Sequence, residues 1–348
     1  MKKKIVALIM VIAIVFIGAS LPQPAQAEKA YQDTVTIAVV NFEPVIGPGG
    51  PDKAATLEKI KALTIKAANQ GANIIVFPET ALTSYTGFPP EQASALAETI
   101  PGPATDAIQK IAAQYNVYVC FGLIESRGNK LYNSAPIIGP TGVLSVYSKV
   151  HPFKPAEPWA TPGSEYPLAL TPWGPIGVGI CYDDFCFPEV ARIYAVKGAR
   201  ILLHPTAFPE FADATDYRDF WLTALGARAI DNHLFVAGAN LVGIEGPLTF
   251  FGYSNILGPK PGQMNYHIYA GPLGTKEEMV MATLNLASLE NLGIGTKTVF
   301  EDRRPETYLA LVSGVMPSGT AYTIIGICAA AALVFLGLWL WERKRKVS

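Results

Sequence analysis

The sequence predicts an α/β protein with one large domain set between two apolar end segments. Three observations carry this. Strand-like and helix-like stretches alternate from Thr34 to Ala239, no repeat of fixed period interrupts them, and half of the 348 residues are apolar while only 16% are charged. Alternation of this kind builds a mixed sheet or a pair of sheets covered by helices. The low charge excludes a disordered chain and points to contact with lipid.

The ends come first. Met1-Lys2-Lys3-Lys4, the apolar run Ile5 to Leu21 and the closing Ala25-Gln26-Ala27 have the order of a secretory signal over residues 1–27. The apolar run is also nearly long enough to remain as an uncleaved anchor, so both readings stand. At the other end, Ala321 to Trp341 carries no charge. At ~1.5 Å per residue it reaches roughly 31 Å, the thickness of a hydrocarbon core. Trp339 and Trp341 fall where an interfacial aromatic belt belongs, and the basic tail Glu342 to Lys346 follows. The expectation is a single membrane-spanning helix over 321–341, a cytoplasmic tail over 342–348 and a domain on the outer face.

Between the ends, residues 28–311 read as the domain and 312–320 as a linker. Thr36 to Val40 and Asn73 to Phe77 are buried-type strands, with Ala54 to Asn69 a helix between them. Ala104 to Tyr115 is helical, and Val117 to Leu123, Leu131 to Ile138 and Val143 to Lys149 are strands. Gly139-Pro140-Thr141-Gly142 turns the last two into a hairpin. After a proline-rich loop, Ile176 to Ile180 is a strand running into Cys181. Pro188 to Lys197 is a helix, Arg200 to His204 a strand, Phe220 to Asp231 a helix and Leu234 to Ala239 a strand.

Composition excludes several functions. The net charge of −1 and scattered basic residues leave no nucleic-acid footprint. The four histidines show no metal-ligand spacing and no Cys-x-x-Cys occurs, so no metal or cofactor is expected. Of the four cysteines, Cys328 falls in the membrane segment, leaving Cys120, Cys181 and Cys186, too few for a disulfide framework.

Four polar residues stand at strand ends or in the loops after them, where α/β proteins place their sites. Cys181 follows the apolar strand Gly177-Val178-Gly179-Ile180, so its thiol is aimed out of a sheet beside backbone N–H groups fit for an oxyanion. A buried structural cysteine is the commoner fate of a lone thiol. Glu79 closes Ile74 to Pro78, and Pro78 stops the strand there. A carboxylate against apolar walls suits general-base work, although a solvated loop glutamate is the ordinary case. Lys149 ends its strand, and Glu157 follows across the turn Pro152 to Pro158. A cation near a thiol lowers its pKa, and a second carboxylate orients the pair. His204, at a strand end, is more simply a core histidine than part of a pocket.

Taken in order, Phe77-Pro78-Glu79, Tyr147-Ser148-Lys149 with Glu157, and Gly179-Ile180-Cys181-Tyr182-Asp183 resemble the motifs of the carbon–nitrogen hydrolase (nitrilase) superfamily. Phe187-Pro188-Glu189, Ala227 to Asn232, Ala239-Asn240 and Arg303 to Tyr308 resemble further family positions. The resemblance implies a four-layer αββα sandwich that pairs into dimers, with Glu79, Lys149 and Cys181 catalytic and Glu157 as the additional carboxylate. It also implies a small-molecule amide substrate, cleaved through a thioester on Cys181 with release of ammonia or an amine. Tyr85, Trp159, Tyr182 and Phe208 are the expected substrate-binding aromatics, with Phe88 and Phe185 nearby. Three rivals accompany this expectation. Nitrile hydrolysis uses the same thiol, but Tyr182-Asp183 stands where the nitrilase pattern has Trp-Glu. N-acyl transfer outside the membrane belongs to relatives with several spans before the domain. An inactive surface binding module is the third, and retention of all four polar residues argues against it. At an oxidising face Cys181 must stay reduced, so neither Cys120 nor Cys186 is expected to be its disulfide partner.

Overall fold

In a computed structural model of the chain, the described residues are 31–85, 88–210, 216–290, 292, 299–308 and 311. The expected signal segment and the expected membrane helix lie outside them. Among the described residues no helix is long and apolar enough to cross a membrane. The chain divides into two compact units, residues 1–294 and 295–348. Among its described residues the second holds a short 3-10 turn, Pro305–Thr307.

The first unit opens with β1 (Thr34–Asn41), the small pair β2 (Ile46–Gly47) and β3 (Gly50–Pro51), and α1 (Lys53–Asn69). Asp52 caps α1, its carboxylate accepting from the Ala55 N–H at 2.9 Å. Then come β4 (Ile74–Val76), α2 (Pro90–Leu96), α3 (Pro103–Tyr115), β5 (Tyr118–Cys120), β6 (Leu123–Arg127), β7 (Lys130–Gly139) and β8 (Gly142–Ser148). The second half carries β9 (Ala169–Thr171), β10 (Gly174–Val178), α4 (Tyr182–Cys186), α5 (Pro188–Val196), β11 (Ile201–Thr206), α6 (Tyr217–Asn232) and β12 (Phe235–Asn240). It closes with β13 (Val242–Glu245), β14 (Leu248–Phe251), β15 (Asn255–Gly258), β16 (His267–Ala270) and β17 (Glu278–Asn285).

These strands form two main sheets, ordered β17-β1-β4-β5-β7-β6 with β8 also on β7, and β16-β15-β12-β11-β10-β9. Side chains alternate across each strand, and the alternation sorts β1 between two cores. Val35, Ile37 and Val39 share a core with Ile176 and Val178 of β10 and Phe235 of β12, which joins the sheets face to face. Ala38 and Val40 turn the other way, onto Ile60 and Ala67 of α1 and Ile108 and Ala112 of α3. Beyond the second sheet, α5 and α6 bring Val190, Trp221, Leu225 and Ala229 into the core. The layers are helix, sheet, sheet, helix. Each large apolar side chain so enclosed contributes about 1.5–3 kcal/mol relative to exposure.

The structure departs from the sequence expectation at one instructive place. Val117 to Leu123 is not one strand but β5 and β6, broken at Phe121-Gly122. The break lets the Gly122 N–H bond Pro78 O at 2.9 Å and Gly122 O accept from Leu82 at 3.1 Å. The bonds that would have extended a strand hold the loop around Glu79 instead. The helix α2 and the strands after Asn240 carried too weak a periodicity to be read, yet β17 pairs with β1 along its whole length.

Candidate active site

The parallel strands β4 and β10 both end at the same edge of the sandwich, where α/β proteins gather their functional groups. Glu79 follows β4 by three residues and Cys181 follows β10 by three. Glu79 is fixed by close backbone contact. A methyl group on Gly122 would lie 2.1 Å from the Thr80 N and 2.6 Å from the Glu79 Cα, so only glycine lets the two loops touch. Thr80 takes φ 47°, a left-handed conformation that persists only where the surroundings enforce it.

Cys181 sits on a sharper corner, at φ 49° and ψ −109°, as the cap of α4. Its N–H bonds Pro205 O at 3.0 Å. Such a strained strand-to-helix turn presents a nucleophile at the top of a sheet, next to the first N–H of the helix, that of Tyr182, while the Asp183 and Asp184 N–H groups bond Ile180 O and Cys181 O. Gly179 makes room for the corner: a Cβ there would meet the Asp184 carboxylate at 2.2 Å.

Lys149 lies just past β8, its N–H bonded to Asn133 O at 2.8 Å. Its ammonium donates to Glu79 Oε1 at 2.7 Å and Glu157 Oε1 at 2.5 Å, and all three side chains are fully buried. Asn133 ties the carboxylates a second time, donating to Glu79 Oε1 at 2.7 Å and Glu157 Oε2 at 3.2 Å. The Ala207 N–H reaches Glu79 Oε2 at 2.8 Å, and the Tyr85 hydroxyl donates to Glu157 Oε1 at 3.0 Å. An ammonium has three N–H donors, so Lys149 keeps one beyond its two carboxylate bonds.

Opposing charges and burial act on the thiol. Burial pushes the Cys181 thiol up, the Glu79 charge pushes it further, and Lys149 opposes with a smaller effect. Lys149 pulls the thiol pKa down, but its charge is shared with two carboxylates, and burial with Glu79 outweighs it. Burial works against the Lys149 charge, but Glu157 and Glu79 override it and hold its pKa well above the ordinary value. For Glu157, burial raises the pKa and the Lys149 charge opposes. The cluster suits a proton handed over during attack, by general-base action.

A cavity of about 440 Å³ opens onto Cys181. Of the expected substrate-binding residues, Tyr85, Tyr182 and Phe208 line it, as does Phe185. Trp159 does not. It packs with Phe88, Ala93, Ile124 and Ala160 in a satellite core, because the Pro-bounded turn that brings Glu157 inward carries Trp159 to the other side. His204 is a fully buried core residue, its Nδ1 2.7 Å from Asp184 Oδ2 and its ring packed against Phe185 and Trp221. Cys120, Cys181 and Cys186 are all free thiols.

Sequence reading missed Asn133 and the two aspartates after Cys181. Asn133 was visible only as a polar residue inside the strand Leu131 to Ile138. Asp183 accepts from the Tyr147 hydroxyl at 2.7 Å and the His151 N–H at 2.9 Å. Asp184 pairs with His204, while Arg228 Nε donates to the Asp184 carbonyl at 2.8 Å.

Comparison with known proteins identifies the family. The sequence profile of carbon-nitrogen hydrolases matches residues 36–293, ending before the Arg303 to Tyr308 motif. A probable nitrilase of Schizosaccharomyces pombe is 34% identical over 254 residues, covering 72% of this chain and 89% of its own. An omega-amidase of Danio rerio is 33% identical over 253 residues, covering 69% and 86%. Among solved structures, an amidase from Nesterenkonia sp. AN1, with an acetamide moiety covalently added at its active site cysteine, superposes with a TM-score of 0.63. It is 25% identical, over 80% of this chain and 97% of that one. By profile, identity and fold, the chain belongs to the carbon-nitrogen hydrolase family.

Proposed function

We propose that the protein is an amidase acting through a Cys181 thioester, with its domain held at the outer face of a membrane. The observation that carries the chemistry is that Cys181 lines a cavity while the fully buried Glu79–Lys149–Glu157 cluster lies near enough for its charges to act on the thiol. The amidase with a covalent adduct on its active site cysteine is the relative that supports this branch. Membrane attachment rests on the sequence alone: the signal-like residues 1–27 and the uncharged stretch 321–341 with basic residues behind it.

In the proposed reaction, Glu79 takes the thiol proton as Cys181 Sγ bonds to the amide carbon. The carbonyl oxygen becomes an oxyanion, held by the remaining Lys149 N–H and the first backbone N–H of α4. Collapse breaks the C–N bond, and Glu79 gives its proton to the departing nitrogen. Water, losing a proton to Glu79, then attacks the thioester. The C–S bond breaks, and the thiol regains its proton. Glu157 and Asn133 hold lysine and base in register throughout.

A second reading, nitrile hydrolysis, is favoured by the probable nitrilase among the relatives. The same experiment tests both. The purified chain is given short amides and the matching nitriles, and ammonia is measured. Amide turnover that falls by more than about 10⁴-fold in Cys181→Ala is expected. Turnover undiminished in that variant sinks the mechanism, and a preference for nitriles moves the protein to the second reading.

A further inference from the structure

Resting on the amidase reading, we propose that the acyl side of the substrate is an uncharged apolar chain or ring, and that amides whose acyl group carries a carboxylate are rejected. The cavity is walled by Phe153, Tyr182, Phe185, Phe208, Phe220 and Leu248. Among its described lining residues the single charged one is Asp216, an anion.

An anionic acyl group needs a cation to replace the water it loses. Among the described residues that line the cavity there is none. Lys149 is held by two carboxylates. Lys154, beside Phe153, donates instead to Ala160 O at 2.6 Å. Arg218, beside Tyr217, pairs with Glu210 at 3.6 Å and lies over the rings of Tyr217, Phe251 and Tyr253. From Ala207 to Tyr217 the sequence has three acids and neither lysine nor arginine. Aromatic walls reward apolar area: each buried methylene is worth about fourfold in an equilibrium or rate constant.

The test uses the full chain and measures kcat/KM from ammonia release. The panel is acetamide, butyramide, pentanamide, hexanamide and phenylacetamide, with the monoamide of succinic acid as the charged counterpart of pentanamide. Expected is a rise of about fourfold per methylene, with the succinic monoamide at least about a hundredfold below pentanamide. Asp216→Lys should narrow that gap severalfold. A flat chain-length series, or a succinic monoamide within tenfold of pentanamide, overturns the inference while leaving the amidase reading intact. Should no amide release ammonia, the amidase reading fails instead. Calorimetric binding to Cys181→Ala then decides the acyl preference by itself: tighter hexanamide supports it, tighter succinic monoamide overturns it.

Discussion

Two buried polar networks flank Cys181, and they are built differently. The Glu79–Lys149–Glu157–Asn133 network joins side chains from four separate segments at 2.5 to 3.2 Å. The Asp183–Asp184 network lies beneath the corner, and much of it closes on backbone, through the His151 N–H, the Ile180 N–H and the carbonyls of Asp184 and Phe185. The first leaves a Lys149 donor and the Glu79 carboxylate beside the thiol. In the second, Asp183 and Arg228 are committed to holding the corner in shape, while Asp184 Oδ1 and His204 Nε2 are buried without a hydrogen-bond partner among the described residues. Burial in both is similar, so burial alone does not mark a reactive group. What separates them is which groups act on the thiol: Glu79 and Lys149 do so directly.

The largest test of that contrast is Lys149→Met. It strands two buried carboxylates, so unfolding free energy should fall by about 3–5 kcal/mol. Loss of the oxyanion donor should lower kcat about 10²–10³-fold. Urea denaturation and steady-state kinetics read the two effects. Activity within tenfold of the parent breaks the assignment of Lys149 to the reaction.

Next is His204→Phe, which leaves Asp184 buried without its ring partner. Burial already pushes Asp184 up, opposed by His204. The expected loss is about 1–3 kcal/mol of stability, with kcat per folded molecule changed less than tenfold. A collapse of kcat at unchanged stability would erase the distinction between the networks.

Alkaline pH probes both at once. Burial raises the Tyr85 and Tyr147 hydroxyls above 10.0, and Lys149 is held above 10.5. All three pKa values are raised in the folded state. Their stabilisation is therefore complete below pH 10 and is lost as pH climbs toward the folded values, by at most about 1.4 kcal/mol per group per pH unit. Thermal melts between pH 7 and 11 should be level at first and then fall. Stability that rises above pH 10 contradicts the burial assigned to these groups.

The smallest effect belongs to Tyr85→Phe, which removes one bond to Glu157 while Lys149 and Asn133 remain. A tenfold loss in kcat/KM or less is expected, about 0.5–1.5 kcal/mol. A loss as large as that of Lys149→Met would place Tyr85 in the chemistry.

This site was legible in the order of its motifs rather than one residue at a time. Glu79, Lys149 and Cys181 each end a strand, where α/β proteins place their sites, but alone each is more simply a structural or solvated residue, and it is their order and spacing together that resemble the family. Asn133 gave no such signal, since a single polar residue within a strand reads the same on either face until register is known. Trp159 misled for a related reason. Two residues from Glu157 in sequence, it lies in another core, because the turn directs neighbouring side chains to opposite sides. The elements past Asn240 were lost to weak periodicity, yet β17 completes the first sheet.

The sequence by itself determined the α/β alternation, the strand-end thiol, base and lysine, and the order of motifs that marks the family. These depend on local pattern and chemical type. The tertiary structure alone decided that lysine is bonded to two carboxylates, that burial and the Glu79 charge push the thiol pKa up, and that the cavity beside it is apolar. Those properties are sums over neighbours distant in the chain: Glu79 meets Lys149 across 70 positions at 2.7 Å, and only the packing of two sheets brings their charges into one low-dielectric place.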